Sequence, residues 1–294
     1  MRVTLVVNPS SGKGRAQEML PQVAGRLRDD GIETEILLSR DFDEAIAMTR
    51  GAVDGESDVL AVMGGDGMMH LGVNACAGQD RTALALIPAG TGNDLCRGLG
   101  LPPFDPVAAA ALIAGGKLRR VDLGRINGDR WIGTVTATGF DAMVNHRANL
   151  MPWPKGGLRY PLAALAELRV FSPLSFRLTL DGQARDLDAM LIAVGNTSSY
   201  GGGMKICPQA DPTDGRLDVT VIHPVSRSKL LRLLPQMYSG RFVRDPAVEL
   251  TRAAEVSVEG PGLVGYGDGE LIAAAPLHIR CEPGALGVFV PSIA

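Results

Sequence analysis

The sequence predicts two domains of different kinds: a three-layer α/β domain over residues 1–120 and a mainly antiparallel β-sandwich over residues 121–294, with the functional cleft between them. Three observations lead to this reading. In the first part, apolar runs alternate with helically spaced segments, the pattern of successive βα units. After Val121 the segments become short strands broken by Gly, Asp and Pro. In the first part, glycine-rich loops also follow three of the apolar runs, on what becomes one edge of a parallel sheet.

Taken in order, RVTLVV is the first strand, and Ala16–Leu27 a helix whose apolar face is Met19, Leu20, Val23 and Leu27, with Pro21 placed to kink it. IETEILL is the second strand, followed by a helix over Asp43–Thr49 and by the third strand, DVLAVM. Met68–Cys76 is helical, ALALIP is the fourth strand, and Pro106–Gly115 is again helical. Strands this apolar belong to a parallel sheet covered on both faces. In the second part, WIGTVTAT, LSFRLTLDG, DAMLIAVG, LDVTVIH, EVSVEG and LHIRC read as strands, and Leu158–Phe171 and Ser226–Tyr238 as helices.

Composition narrows the function classes. With 46% hydrophobic and 21% charged residues, the 294-residue chain can bury ordinary globular cores. A net charge of −3 lacks the overall basic footprint of a nucleic-acid binder, and no nucleic-acid partner is expected. Cys76, Cys96, Cys207 and Cys281 are far apart, which suggests neither a zinc site nor a disulfide framework and fits a reducing cytoplasm. The N-terminal apolar run stops at Asn8-Pro9, too early for a signal-peptide core. The longest apolar stretch, Val107–Ala114, is too short to span a bilayer.

The three loops are NPSSGKGR (8–15), GGDGMMH (64–70) and PAGTGND (88–94), and each opens a helix. Backbone N–H groups at a helix N-terminus make an anion site, and glycine lets a phosphate approach closely. Neither the P-loop nor the dinucleotide fingerprint fits. SSGKGR has no hydroxyl after its Gly-Lys, and neither Gly65-x-Gly67 nor Gly90-x-Gly92 reaches the third glycine.

Together, NPSSGKG, GGDGMMHLGVNA and IPAGTGNDLCRGLGLP resemble the three nucleotide-binding motifs of the diacylglycerol kinase catalytic family, which includes bacterial lipid kinases and the sphingosine and ceramide kinases. TGFDAMVNHRAN, YPLAALAEL, PQADPTDGRLDV and YGDGE extend the resemblance over nearly the whole chain, whereas phosphofructokinases and NAD kinases share little beyond GGDG. The resemblance implies that Asn8, Pro9, Ser10, Ser11, Gly12, Gly64, Gly65, Asp66, Gly67, Thr91, Gly92 and Asn93 bind the nucleotide, with the GGDG stretch under the triphosphate of ATP and Thr91 and Asn93 either contacting phosphate or holding their loop. Ser39 matches a nucleotide-contacting position, or is a helix cap. The chain departs from the family where Met68, Met69, His70 and Leu71 replace the usual Thr and Asn-Glu pair. The Met and Leu residues are expected to pack, and His70 to be a polar surface residue.

Phosphoryl transfer needs positioning, a divalent cation and a carboxylate near the attacking hydroxyl. Asp66 and Asp94 are the candidates for organising Mg²⁺, Asp94 also as a helix cap. By its composition, Asp268-Gly269-Glu270 is an ordinary hairpin turn. The resemblance instead makes Glu270 the general base, facing the nucleotide across the cleft, and gives Asp211, Asp214 and Arg216 to a second, structural Mg²⁺. The expected activity is that of a phosphotransferase acting on a lipid alcohol, first of all diacylglycerol. The alternatives are a kinase of a soluble metabolite, such as NAD or a sugar phosphate, and a nucleotide-binding regulator without catalysis.

A lipid substrate implies a cytoplasmic protein visiting the inner membrane surface. Arg227, Lys229, Arg232, Arg241 and Arg244 with Leu230, Leu231, Leu233 and Leu234 make a basic apolar segment, which either docks on anionic lipid or packs its leucines inward. NLMPWPKGGLRYP, with Trp153, Lys155 and Arg159, is a second candidate for the interface. A homodimer is implied by the resemblance alone.

Overall fold

The computed structural model describes residues 1–55, 57–151, 153, 162–163, 166–167, 172–268 and 270–292, without the side chains of residues 141, 145, 146, 148 and 149. Four strands, β1 (Val3–Val7), β2 (Thr34–Leu38), β3 (Val59–Gly64) and β4 (Ala83–Pro88), pair in parallel in the order β2-β1-β3-β4. Side chains alternate across a strand, so one sheet has two apolar faces to cover. Val3, Leu5 and Val7 face helices α1 (Arg15–Asp29) and α5 (Pro106–Gly115). Val6, Leu60 and Val62 face α2 (Phe42–Asp54) and α3 (Asp66–Cys76). These are the three layers expected of the first part. The short helix α4 (Asp94–Gly98) follows β4. Helix α1 runs through Pro21 over its full fifteen residues.

The second part contributes β5 (Lys117–Ile126), β6 (Arg130–Ile132), β7 (Val135–Gly139), β8 (Leu174–Leu180), β9 (Gln183–Ala189), β10 (Leu191–Gly195), β11 (Leu217–Ile222), β12 (Val248–Ala253), β13 (Glu255–Glu259), β14 (Val264–Gly267), β15 (Glu270–Ala274) and β16 (Leu277–Val290). Among the described residues, β12-β11-β10-β7-β14-β15 form a six-stranded antiparallel sheet. Strands β16, β13, β8 and β9 continue the first sheet beyond β4 and pack against the six-stranded sheet. Phe176, Leu178, Val256 and Ile279 from one sheet meet Ile192, Val194, Val219 and Val221 from the other, making the sandwich core. The outer face of the six-stranded sheet, with Leu191, Ala193 and Ile222, is covered by α6 (Phe140–Leu150) and α7 (Arg227–Met237). A 3-10 turn, Arg241–Arg244, follows α7.

Two strands tie the halves together. β16 pairs antiparallel with β13 through Leu277–Arg280, then runs on until Val288 lies parallel beside Leu84 of β4. β5 accompanies it on both stretches, with a bulge between Glu282 and Leu286. Asp122 holds that bulge, accepting 2.7 Å bonds from the amides of Gly284 and Gly215. Residue 120, where the sequence suggests a boundary, therefore lies inside a continuous strand. The WIGTVTAT segment is two strands, β6 and β7, parted at Gly133-Thr134. DAMLIAVG likewise divides between β9 and β10. The expected helix over Leu158–Phe171, with Lys155 and Arg159 before it, lies outside the described residues except at a few positions.

Candidate active site

The three glycine-rich loops leave the carboxyl ends of β1, β3 and β4 and lie against one another. Asn8 folds the first into an Asx turn, its Oδ1 accepting from the Ser10 amide (3.1 Å) and hydroxyl (2.7 Å). The amide of Ser11 closes the turn on the Asn8 carbonyl at 3.1 Å. Pro9 and Gly12 belong to the same loop, and a Cβ on Gly12 would strike the Ala89 carbonyl. A Cβ on Gly90 would collide with the Cα of Gly65, one on Gly92 with the Asp66 carboxylate, and one on Gly64 with Met68. Much of the glycine here is therefore required by loop-on-loop packing. Gly67 differs: its Cβ would meet only Phe42, at 3.8 Å, so packing does not require a glycine there.

Asp66 opens α3 and binds the third loop. Its Oδ2 accepts from the Asn93 amide (3.0 Å) and its Oδ1 from the Asp94 amide (2.8 Å), so it caps α4 from outside. Asn93, in the left-handed region at φ 56°, steadies the same loop through Gly90 and the Pro103 carbonyl. Asp94 reaches the other lobe, its oxygens accepting 2.7 Å bonds from the amides of Gly202 and Gly203. Burial pushes the Asp94 carboxyl above its ordinary pKa, the nearby charge of Asp66 adds to this, and the two amides oppose it. Ser39 is buried and donates to the Val7 carbonyl at 3.2 Å. It does not cap α2; Asp41 does, accepting from the Glu44 amide at 2.8 Å.

Asp66, Asp94 and Thr91 line a cavity of about 280 Å³ between the lobes, together with Gly92, Tyr200 and Gly202. Met68, Met69 and Leu71 pack in the core, as expected. His70 does not lie on the surface. It lines the cavity, 14% exposed, with Nδ1 3.0 Å from Asp268 Oδ2, because the β14–β15 hairpin lands on this turn of α3. Asp268 is held from its other side by the Thr134 amide (3.0 Å) and hydroxyl. Burial alone would raise the Asp268 pKa, but the bonds from His70 and Thr134 hold it below the usual carboxylate range. For His70, burial works downward most strongly, but the bond to Asp268 together with the charges of Asp268 and Glu270 leaves the imidazole raised. Glu270 stands exposed at the first position of β15, two residues beyond Asp268.

The comparisons with known proteins agree with the two-lobed fold. Residues 2–126 match the diacylglycerol kinase catalytic domain, and residues 133–290 match the YegS C-terminal NAD kinase beta sandwich-like domain. The diacylglycerol kinase of Mycobacterium tuberculosis (strain CDC 1551 / Oshkosh) is 44% identical over 295 residues, covering 99% of this chain and 95% of that protein. The chain belongs to the diacylglycerol kinase catalytic family. A probable lipid kinase YegS-like of Stenotrophomonas maltophilia is 30% identical, covering 99% of this chain and 96% of its own. A crystal structure of a diacylglycerol kinase from Bacillus anthracis superimposes with a TM-score of 0.79 at 25% identity, covering 98% and 96% of the two chains. The NAD kinase of Archaeoglobus fulgidus, at 13% identity and a TM-score of 0.54, shares the fold.

In this member of the diacylglycerol kinase family, the acidic loop before β11 is organised around an arginine. Asp211 turns back on the amide (3.1 Å) and hydroxyl (2.7 Å) of Thr213, and Asp214 accepts from the Arg216 amide at 3.0 Å. Arg252 lies 3.3 Å from both Asp214 and Asp218 and supplies positive charge there. Among the described residues, no group of three or more His, Cys, Asp or Glu side chains gathers as a metal site. Sequence reasoning passed over Gly202 and Gly203, although YGGGM was a visible signal. Tyr200 gives no signal in the sequence, and Asp268 reads there only as a hairpin-turn residue, because the importance of both depends on contacts from distant segments.

Proposed function

We propose that the protein transfers the γ-phosphoryl group of ATP to the free hydroxyl of diacylglycerol, giving phosphatidic acid, with Glu270 as the general base. One observation favours a lipid: Tyr200 lines both the cavity that holds the carboxylates and a narrow apolar slot, about 20 Å³, among Phe140, Leu191, Met204, Leu230 and Met237. An alcohol bearing acyl chains would set its hydroxyl by the carboxylates and its chains toward that slot, which must widen to admit them. The backbone amides of the glycine loops, with Gly67 open, provide for the phosphates.

Asp66 and Asp94 are suited to Mg²⁺. They share a cavity, the charge of one raises the pKa of the other, and their amide partners leave further lone pairs on each oxygen. Bound there, Mg²⁺ would offset phosphate charge during transfer. The exposed residues Leu231, Tyr238 and Trp153, with Arg227, Arg232, Arg241 and Arg244, supply apolar and basic groups for an anionic membrane surface. Leu230 and Leu233 pack inward, so only part of the basic segment is available for this. Among the described residues, no helix is long and apolar enough to cross a membrane.

The test is transfer of labelled phosphate from ATP with Mg²⁺ to diacylglycerol in mixed micelles, beside NAD, fructose 6-phosphate and sphingosine. Labelled phosphatidic acid is expected, and Glu270→Gln should lower turnover by about 10²–10⁴-fold, the usual worth of a general base. Transfer only to a soluble acceptor would replace this reading with a metabolite kinase.

A further inference from the structure

His70 lies one helical turn beyond Asp66 on α3, so the two side chains leave the same face of the helix. Nothing in the chemistry proposed above uses an imidazole, yet this one is enclosed in the cleft. Its Nδ1 meets Asp268 Oδ2 at 3.0 Å, a contact between residues 198 positions apart. The ionised carboxylate can only accept, so Nδ1 carries the proton. On its other oxygen Asp268 accepts from the Thr134 amide and hydroxyl, and it cannot turn without breaking those bonds. Its own backbone takes φ 51° at the turn between β14 and β15, and Glu270 begins β15 two residues later.

The helix side of the contact is equally fixed. Asn74, a further turn along α3, donates to the His70 carbonyl and the Trp131 carbonyl, both at 3.0 Å, and accepts from the Trp131 amide at 3.0 Å. α3 is thereby docked on β6, just ahead of Gly133-Thr134. Across the cavity, Asp94 joins the same two lobes through Gly202 and Gly203. Around the imidazole stand Asp268 and Glu270 from the hairpin and Arg130 from β6. Asp66 on its own helix and Asp94 on α4 line the same cavity.

We infer that His70 is a positioning residue: by donating Nδ1–H to Asp268, it holds the hairpin that carries Glu270 at a fixed separation from the helix that carries Asp66. This rests on the reading of Glu270 as the base. A base acts only from within hydrogen-bond reach of the proton it removes, and a link this close to it sets that reach. An asparagine in place of His70 would still offer an N–H donor to Asp268.

Steady-state phosphorylation of diacylglycerol at varied ATP, on His70→Leu, His70→Asn, Asp268→Asn and Glu270→Gln, tests the inference. His70→Leu should lower kcat by about 100-fold, the scale of an ångström's misplacement, with KM for ATP unchanged. Asp268→Asn should behave alike, and it serves if His70→Leu does not fold. His70→Asn should recover most of the loss, and His70→Leu should cost nothing further once Glu270 is Gln. An undiminished kcat in both His70→Leu and Asp268→Asn, with Glu270→Gln inactive, would overturn the positioning role and leave the base intact. So would a loss confined to KM for ATP, or His70→Asn as impaired as His70→Leu. A fully active Glu270→Gln would overturn the base, and the positioning role with it.

Discussion

His70 and Asp268 make the stability of the cleft depend on pH. The raised imidazole contributes stability that is complete below its unfolded value, near 6.5, and is lost as pH rises through its folded value. The lowered carboxyl contributes above its unfolded value, near 3.8, and its share is lost as pH falls through its folded value. The pair therefore stabilises most between these limits. Urea unfolding of wild type against His70→Asn should show a larger difference at pH 5.5 than at pH 8.5. The glycines give a second residue-level expectation. Gly90→Ala should cost about 1–3 kcal/mol by overpacking against Gly65. Gly67→Ala has space and sits in a helix, so it should gain up to about 1 kcal/mol while weakening ATP binding. Urea curves and an ATP titration separate the two. The sequence shows where these glycines and carboxylates are, because loop residues follow their strands directly. It does not show the partner of His70, which arrives from a hairpin nearly two lobes away in the chain.

Among the elements, legibility followed unbroken apolar runs, which even the largely exposed edge strand β2 has at Ile36–Leu38. β1, β3 and β4 were readable because burial on both faces leaves unbroken apolar runs. β9 and β12 were not, because strands at the sheet edges carry Arg, Asp and Glu on much of their length. α6 was missed for another reason. Phe140–Leu150 interleaves apolar and polar residues without a clean stripe, and sheet contacts at Phe140 and Val144 decide its conformation. β5 was hidden because Lys117–Arg120 are exposed, so the strand begins as a polar run. β16 is the element on which most depends. Leu286, fully buried where the strand enters the first sheet, should cost about 2–5 kcal/mol as Leu286→Ala. The loss should appear in one transition, whether followed by Trp131 fluorescence or by ATP protection.

At the scale of the molecule, the cleft is set by two kinds of join. A continuous β5–β16 ribbon makes the lobes one sheet on one side, and two carboxylate links, at Asp94 and Asp268, close the other. Arg232 and Arg241 are exposed and line neither the cavity nor the slot beside it, so charge reversal there should leave the catalytic cavity intact. Arg232→Glu with Arg241→Glu should reduce co-sedimentation with phosphatidylglycerol vesicles, while phosphorylation of a short-chain diacylglycerol in solution continues. Equal loss in both assays would count against a docking role. The ribbon also has a consequence for biosynthesis. Until Val288 has left the ribosome, Leu84 and the rest of β4 have a neighbour on only one side, so the nucleotide-binding lobe presents an open strand edge throughout translation of the second lobe. The first lobe is thus completed by a strand that follows the whole sandwich in the chain, and a nascent chain halted before β16 should offer that open edge to chaperones.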